Sequence, residues 1–176
     1  PLVWRNLFFP SEVLNALGAR SLTLETYAAL FARSQHKVKK AFDKAACKGF
    51  SGETCSFLRV LEGVQLPAPA FSVSTSQPCQ QGERIFRDLA RSYNIEDRFF
   101  SLQTPAVGTG NDISIEHLAE ELERSVFLME KALGLKMDPK KLSEACAHSN
   151  DARHYSLLCN ELRYNSPPLI RGGQAI

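Results

Sequence analysis

The feature that most constrains this chain is an alternation of segment types. Short apolar or β-branched runs are each followed by a stretch whose apolar residues recur at helical spacing. Residues 2–4 with 7–9 read as a first, buried strand, and Ser21-Leu22-Thr23-Leu24-Glu25 alternates at period two as a second. Residues 70–75 form a third, introduced by the rigid Pro67-Ala68-Pro69, and 98–102 a fourth. Between them lie helical stretches over 10–18 (Ser11 as cap, Gly18 as stop), 26–33, 36–48, 56–63 and 80–93. Two longer helices close the chain. Residues 114–133 carry the stripe Ile115, Leu118, Ala119, Leu122, Val126, Met129 and Leu133. Asp138-Pro139 then opens a helix reaching about Arg163, with Asp138 as cap and proline at the first position.

Strands separated by helices and short loops must run parallel, with helices covering both faces. The expected architecture is therefore α/β, a flavodoxin-like parallel sheet of about four strands flanked by helices. The boundaries read as a first α/β domain over 1–135, then a linker helix and tail over 136–176 leading to a second domain. Pro1 in place of an initiating Met, and the ending Pro167-Pro168-Leu169-Ile170-Arg171-Gly172-Gly173, suggest a piece of a longer protein.

Within this plan two cysteines occupy equivalent places. Cys55 stands where a loop becomes the helix over 56–63, and Cys79 where the third strand's loop becomes the helix over 80–93. The first turn of a helix offers unpaired N–H groups and partial positive charge, which favour an anionic sulfur. In open α/β sheets the carboxyl edge is where chemistry is placed. The pattern therefore suggests a metal or cluster site, because soft thiolates suit iron. The competing reading is two small buried hydrophobes. Zinc fits less well, since no C-x₂-C pair exists and Cys47 lies eight positions before Cys55. Cys47, Cys146 and Cys159 read as packed. Glu25, ending the second strand at that same edge, is a candidate for moving a proton or orienting a hydroxyl, against the simpler role of a capping or solvated carboxylate. His36, His117, His148 and His154 fall in helices with no partner at ligand spacing. The basic run Arg33, Lys37, Lys39, Lys40, Lys44 and Lys48 reads first as a solvated face; attraction of coenzyme A phosphates or an acidic partner is the alternative. Gly108-Thr109-Gly110 lacks the lysine or third glycine of a nucleotide loop.

With 176 residues and 44% hydrophobic content, the chain can build one sizeable core. A formal charge of +2 gives no field favouring nucleic acid or an anionic membrane. No apolar run approaches the roughly 18 residues needed to span a bilayer. An odd number of sparsely spaced cysteines fits a reducing compartment, so a cytoplasmic location is expected.

These residues carry a resemblance. Phe9-Pro10-Ser11-Glu12-Val13-Leu14-Asn15-Ala16-Leu17-Gly18, followed by the strand at 22–25, resembles the opening of the 2-hydroxyacyl-CoA dehydratase family, which includes benzoyl-CoA reductase subunits and double-cubane proteins. Glu53-Thr54-Cys55-Ser56 matches that family's first cluster cysteine, and Ser74-Thr75-Ser76 leading to Cys79 its second. Asn150-Asp151-Ala152-Arg153 and Ser166-Pro167-Pro168 resemble its linker helix. Two features depart from the pattern: Gln80-Gln81-Gly82 stands where Asp-Gly often follows the second cysteine, and the Cys55–Cys79 interval is short for the dehydratases proper.

The resemblance implies an iron–sulfur subunit with a [4Fe–4S] cluster held by Cys55, Cys79 and a third cysteine outside this chain. It implies a second dehydratase or reductase subunit in a heterodimer, an ATP-dependent iron–sulfur activator protein and an acyl-CoA substrate, with no nucleic acid and no membrane. The reaction would be radical dehydration of a 2-hydroxyacyl-CoA after one-electron reduction. A benzoyl-CoA reductase-like or double-cubane-type reductase, or a non-catalytic electron-relay or scaffold subunit, are the alternatives.

Overall fold

A computed structural model describes residues 1–105, 112–165 and 167–170. The chain runs β1 (Leu2–Arg5), α1 (Ser11–Ala16), β2 (Arg20–Thr23), α2 (Leu24–Phe31), α3 (Gln35–Cys47), α4 (Ser56–Gly63), β3 (Phe71–Thr75), α5 (Gln80–Ser92), a 3₁₀ turn (Glu96–Arg98), β4 (Phe99–Leu102), α6 (Asp112–Leu133) and α7 (Pro139–Glu161). The strands lie in the order β2-β1-β3-β4 and every neighbouring pair is parallel, as the alternation requires. Trp4 stands opposite both Leu22 and Ser72, and Val73 opposite Phe100. The architecture is flavodoxin-like, with long helices at its C-terminal end.

Successive strand residues point to opposite faces, so the sheet separates two cores. On one face Val3, Phe71, Val73, Phe100 and Leu102 pack with Val13 and Leu14 of α1, Leu17 at its C-cap and Met129 of α6. On the other, Trp4 packs with Leu24 and Ala28 of α2, Leu58 and Leu61 of α4, and Ile85, Phe86 and Leu89 of α5. Trp4 is fully buried yet satisfied: its indole Nε1 donates to the Pro67 carbonyl at 3.0 Å, and its ring meets Tyr93 edge-on at 4.7 Å. Tyr93 in turn donates to the Leu66 carbonyl and accepts from the Leu66 N–H, fixing the approach to β3.

Several expectations need correction. Residues 7–9 do not extend the first strand; Leu7 and Phe8 sit in a turn, each 54% exposed, and Phe9 alone turns inward. Ser11 is the first residue of α1 rather than its cap; Pro10 takes that position. The second strand stops at Thr23, so Glu25 lies in the first turn of α2 instead of ending a strand. Leu24 is fully buried against the helix layer, and that burial draws the chain out of the sheet two residues early. On α6, Ile115 and Ala119 face outward while Leu118, Leu122, Val126 and Leu133 pack around Met129. Cys47, Cys146 and Cys159 are exposed, not packed. For the last two the reason is that α7 buries none of its residues against the described chain. Its N-terminus forms as expected: Asp138 accepts from the Lys140 N–H at 2.9 Å, and Pro139 follows. Gly108-Thr109-Gly110 lies outside the described residues, as does the chain beyond Ile170.

One helix crossing is set by the absence of a side chain. A Cβ on Gly63, the last residue of α4, would stand 1.9 Å from the Ala41 carbonyl oxygen of α3. Backbone cannot yield as a flexible side chain can, so α3 and α4 must separate to admit even one methyl. Beside this contact Glu62 is buried, with Lys48 donating to its backbone carbonyl at 2.6 Å and facing its carboxylate at 3.4 Å. Gly63→Ala is expected to lower unfolding free energy by about 1–3 kcal/mol, the range for overpacked sites. In Gly52→Ala the new methyl would meet only Arg59 at 3.5 Å, an ordinary contact, and the change should stay within about 0.5 kcal/mol. Denaturant titration of both variants checks this, and equal midpoints would contradict it.

Candidate functional site

All four strands are parallel, so their carboxyl ends share one rim, and the polar groups of the fold gather there. Asn6, just past β1, ties the rim together. Its N–H donates to the Val73 carbonyl, its side-chain amide donates to Thr75 Oγ1 at 2.7 Å, and its Oδ1 accepts from the Phe9 N–H at 3.0 Å. The Thr75 hydroxyl donates to the Gln77 carbonyl, and Ser76 is linked to Thr104 beyond β4. The segment leading from β3 to Cys79 is thus anchored on both sides.

Cys79 is the N-cap of α5. Its Sγ accepts the Gly82 N–H at 3.3 Å, so the sulfur already takes up one of the helix's free donors. Cys55 is the N-cap residue of α4. The two helix starts are joined directly: the Cys55 N–H donates to Gln81 Oε1, two residues past Cys79, at 3.3 Å. Both sulfurs belong to exposed residues, so the reading of either as a buried small hydrophobe does not apply. Among the described residues no three His, Cys, Asp or Glu side chains converge on a metal-binding arrangement.

Glu25 faces the same rim from α2. Burial pushes its carboxyl above the ordinary range; its own backbone N–H, the Leu7 N–H and the charge of Arg5 act the other way. Its Oε2 is buried with no hydrogen-bond partner. Arg5, the last residue of β1, arches over the turn and donates from one nitrogen to the carbonyls of Asn6, Leu7 and Phe9. Glu25 therefore sits under a turn shaped by Arg5 and Asn6, with one oxygen still available to hold or take a proton.

Sequence reasoning did not find Arg5 or Asn6, met Thr75 only within the Ser74-Thr75-Ser76 motif, and did not single out Gln81. Asn6 and Arg5 fall inside what reads as one continuous apolar strand. Gln81 registers only as a departure from a family pattern, whereas it bridges the two cysteine-bearing helix starts.

A parallel α/β fold whose carboxyl rim carries two exposed cysteines at helix N-cap positions and a half-buried carboxylate is the class of protein defined here. The family described as 2-hydroxyglutaryl-CoA dehydratase, D-component, matches residues 6–176, and the chain belongs to it. Among curated relatives, the (R)-2-hydroxyisocaproyl-CoA dehydratase alpha subunit of Clostridioides difficile is 24% identical over 157 residues, covering 82% of this chain and 37% of that protein. The (R)-2-hydroxyglutaryl-CoA dehydratase subunit alpha of Acidaminococcus fermentans is 23% identical over 104 residues, covering 58% of this chain and 22% of that protein. The chain therefore spans well under half the length of either relative. No helix among the described residues is long and apolar enough to cross a membrane.

The buried carboxylates give a pH test. Burial raises the carboxyl of both Glu25 and Glu62, so the folded state holds those protons more tightly than the unfolded chain. Stability from this source is complete below the ordinary glutamate pKa of about 4.3 and is lost as pH rises through the folded values. Glu25→Gln and Glu62→Gln should each flatten part of the decline in denaturation midpoint from pH 4 upward. A variant profile parallel to that of the wild type across this range would contradict the assignment.

Proposed function

We propose that this chain is the cluster-bearing part of an iron–sulfur subunit in a 2-hydroxyacyl-CoA dehydratase-like lyase. The single observation that carries this reading is the hydrogen bond that ties the helix start at Cys55 to the helix start at Cys79 on one rim. Two exposed sulfurs at linked helix starts fit as a partial ligand set for a [4Fe–4S] cluster. The Gly82 N–H on the Cys79 sulfur is the kind of contact that tunes such a ligand. Further ligands would come from outside this chain, in a second domain that follows the α/β domain of residues 1–135 and the linker of 136–176. When bound, the cluster would supply one-electron transfer at low potential.

The chain's own residues have separable tasks in this reading. Asn6 and Thr75 hold the β3 loop so that Cys79 stays at the rim. Gln81 fixes Cys55 relative to it. Glu25 would hold or release a proton near the substrate, and burial suits it to that task by keeping the proton available at a higher pH than an exposed carboxyl would. The substrate would be an acyl-CoA, and the partners a second subunit and an ATP-dependent iron–sulfur activator, in the cytoplasm. Membership of the family and the names of its relatives support the dehydratase over a benzoyl-CoA reductase-like or double-cubane-type reductase, or a non-catalytic relay or scaffold subunit.

The test is iron and acid-labile sulfide content of the full-length protein purified without oxygen, in the wild type and in Cys55→Ala and Cys79→Ala. Each substitution should remove most of the iron while leaving the fold intact by circular dichroism. Unchanged iron in both variants would defeat the ligand assignment.

A further inference from the structure

We propose that Gln81 positions Cys55 and tunes the group bound at the rim: its amide oxygen holds the Cys55 backbone, and its NH₂ donates a hydrogen bond to the anionic iron–sulfur group. The proposal rests on the iron–sulfur reading above and adds to it a residue that binds no iron. Its starting point is an asymmetry between the two helix starts. At Cys79 the sulfur accepts the Gly82 N–H at 3.3 Å. At Cys55 the sulfur accepts no N–H of α4. What reaches Cys55 instead is the Gln81 side chain, from the first turn of α5.

The orientation of that amide follows from donor and acceptor chemistry. The Cys55 N–H is a donor, so only the oxygen of the Gln81 amide can face it, and Oε1 does so at 3.3 Å. The nitrogen on the same carbon carries two N–H donors, and among the described residues it has no hydrogen-bond partner. Gln81 is exposed, so those donors are open to whatever occupies the rim. The bond also lies within a built junction. Ser51 and Thr54, from the loop before Cys55, line a cavity of about 490 Å³ together with Gln81 and Arg84 of α5, and α4 packs directly on α5.

A carboxylate at position 81 would accept the Cys55 N–H more strongly, because charge-assisted bonds are the stronger ones. It would also remove both donors and bring a negative charge to the place where thiolates gather. Donors to sulfur and a smaller negative charge each raise the reduction potential of a cluster, because reduction adds an electron to an anionic group. The neutral amide therefore holds Cys55 while favouring the reduced state. Glutamate would hold Cys55 and disfavour that state.

The experiment compares the full-length protein, purified without oxygen, with Gln81→Glu, Gln81→Leu and Gln80→Glu. The last adds the same charge one residue away, on a side chain with no hydrogen bond among the described residues. Iron content is assayed, the reduction potential is titrated by electron paramagnetic resonance, and the Cys55–Cys79 cross-link is quantified in the metal-free protein by peptide mass spectrometry. Gln81→Glu should keep iron and cross-link yield within twofold of the wild type. It should shift the one-electron equilibrium at least tenfold toward the oxidised cluster, about 59 mV. Gln80→Glu should shift it less than threefold. Gln81→Leu should lose at least threefold in cross-link yield with an unchanged circular dichroism spectrum, since the direct tie between the helix starts is gone. Equal shifts in the two glutamate variants, or a wild-type cross-link yield in Gln81→Leu, overturn the proposal and leave the cysteine ligands standing. A wild-type protein that holds no iron overturns the ligand assignment, and the tuning role falls with it.

Discussion

The structure depends on the parallel pairing of β1 with β2 on one side and β3 on the other. Val3 and Trp4 occupy the centre of that pairing and drive into opposite cores, so both helix layers are held by two adjacent residues of one strand. Parallel strands also send every carboxyl end to one rim. The loops that follow β1 and β3 must then begin at the same edge, and the polar side chains in them can reach one another. Asn6 reaches Thr75 because both segments emerge at that edge, and Gln81, in the first turn of the helix that follows β3, bonds the Cys55 N–H.

The rim and the opposite helix face divide the molecule chemically. At the rim, the starts of α4 and α5 bring exposed Cys55 and Cys79 to N-cap positions, where only the Cys79 sulfur accepts a helix N–H, a setting that suits a thiophilic group. Away from it, α3 is strongly basic, while the outward face of α6 carries Glu116, Glu120 and Glu123. A near-neutral total charge conceals this polarity. The N-terminal half of α7 packs along α1, with Leu142, Ala145 and Ser149 partly buried and Ser149 donating to Glu12 of α1. Above that contact its side chains, including Tyr155 and Leu157, stand free of the described chain.

Much of this was legible in the sequence. Among the described residues, the alternation of strand and helix patterns matches the four parallel strands and the seven helices, because periodicity reports which faces are buried. Gly18 adopts the left-handed conformation that ends α1, as its position suggested, and Gly134 does the same after α6. Cys55 and Cys79 stand at helix starts as the loop-to-helix spacing implied. The misses share one cause: they depend on contacts distant in the chain. Glu25 moved from strand to helix because Leu24 is claimed by the helix layer. Cys146 and Cys159 sit at helical apolar spacing, but Cys146 faces an open cavity beside α1 and α6 and the end of α7 around Cys159 is exposed among the described residues. Gln81 looked like a lapse from a pattern because its partner is twenty-six residues away, at the Cys55 backbone.

The central claim is that the Cys55 and Cys79 sulfurs stand at one site. The most direct measurement is thiol cross-linking in a Cys47→Ser/Cys146→Ser/Cys159→Ser background, with a bis-alkylating reagent no longer than one cluster is wide, followed by peptide mass spectrometry. The account predicts an intramolecular Cys55–Cys79 cross-link as the main product, lost on unfolding before treatment. Quantitative modification of both cysteines by separate reagent molecules, with no bridged peptide from the folded protein, would contradict it.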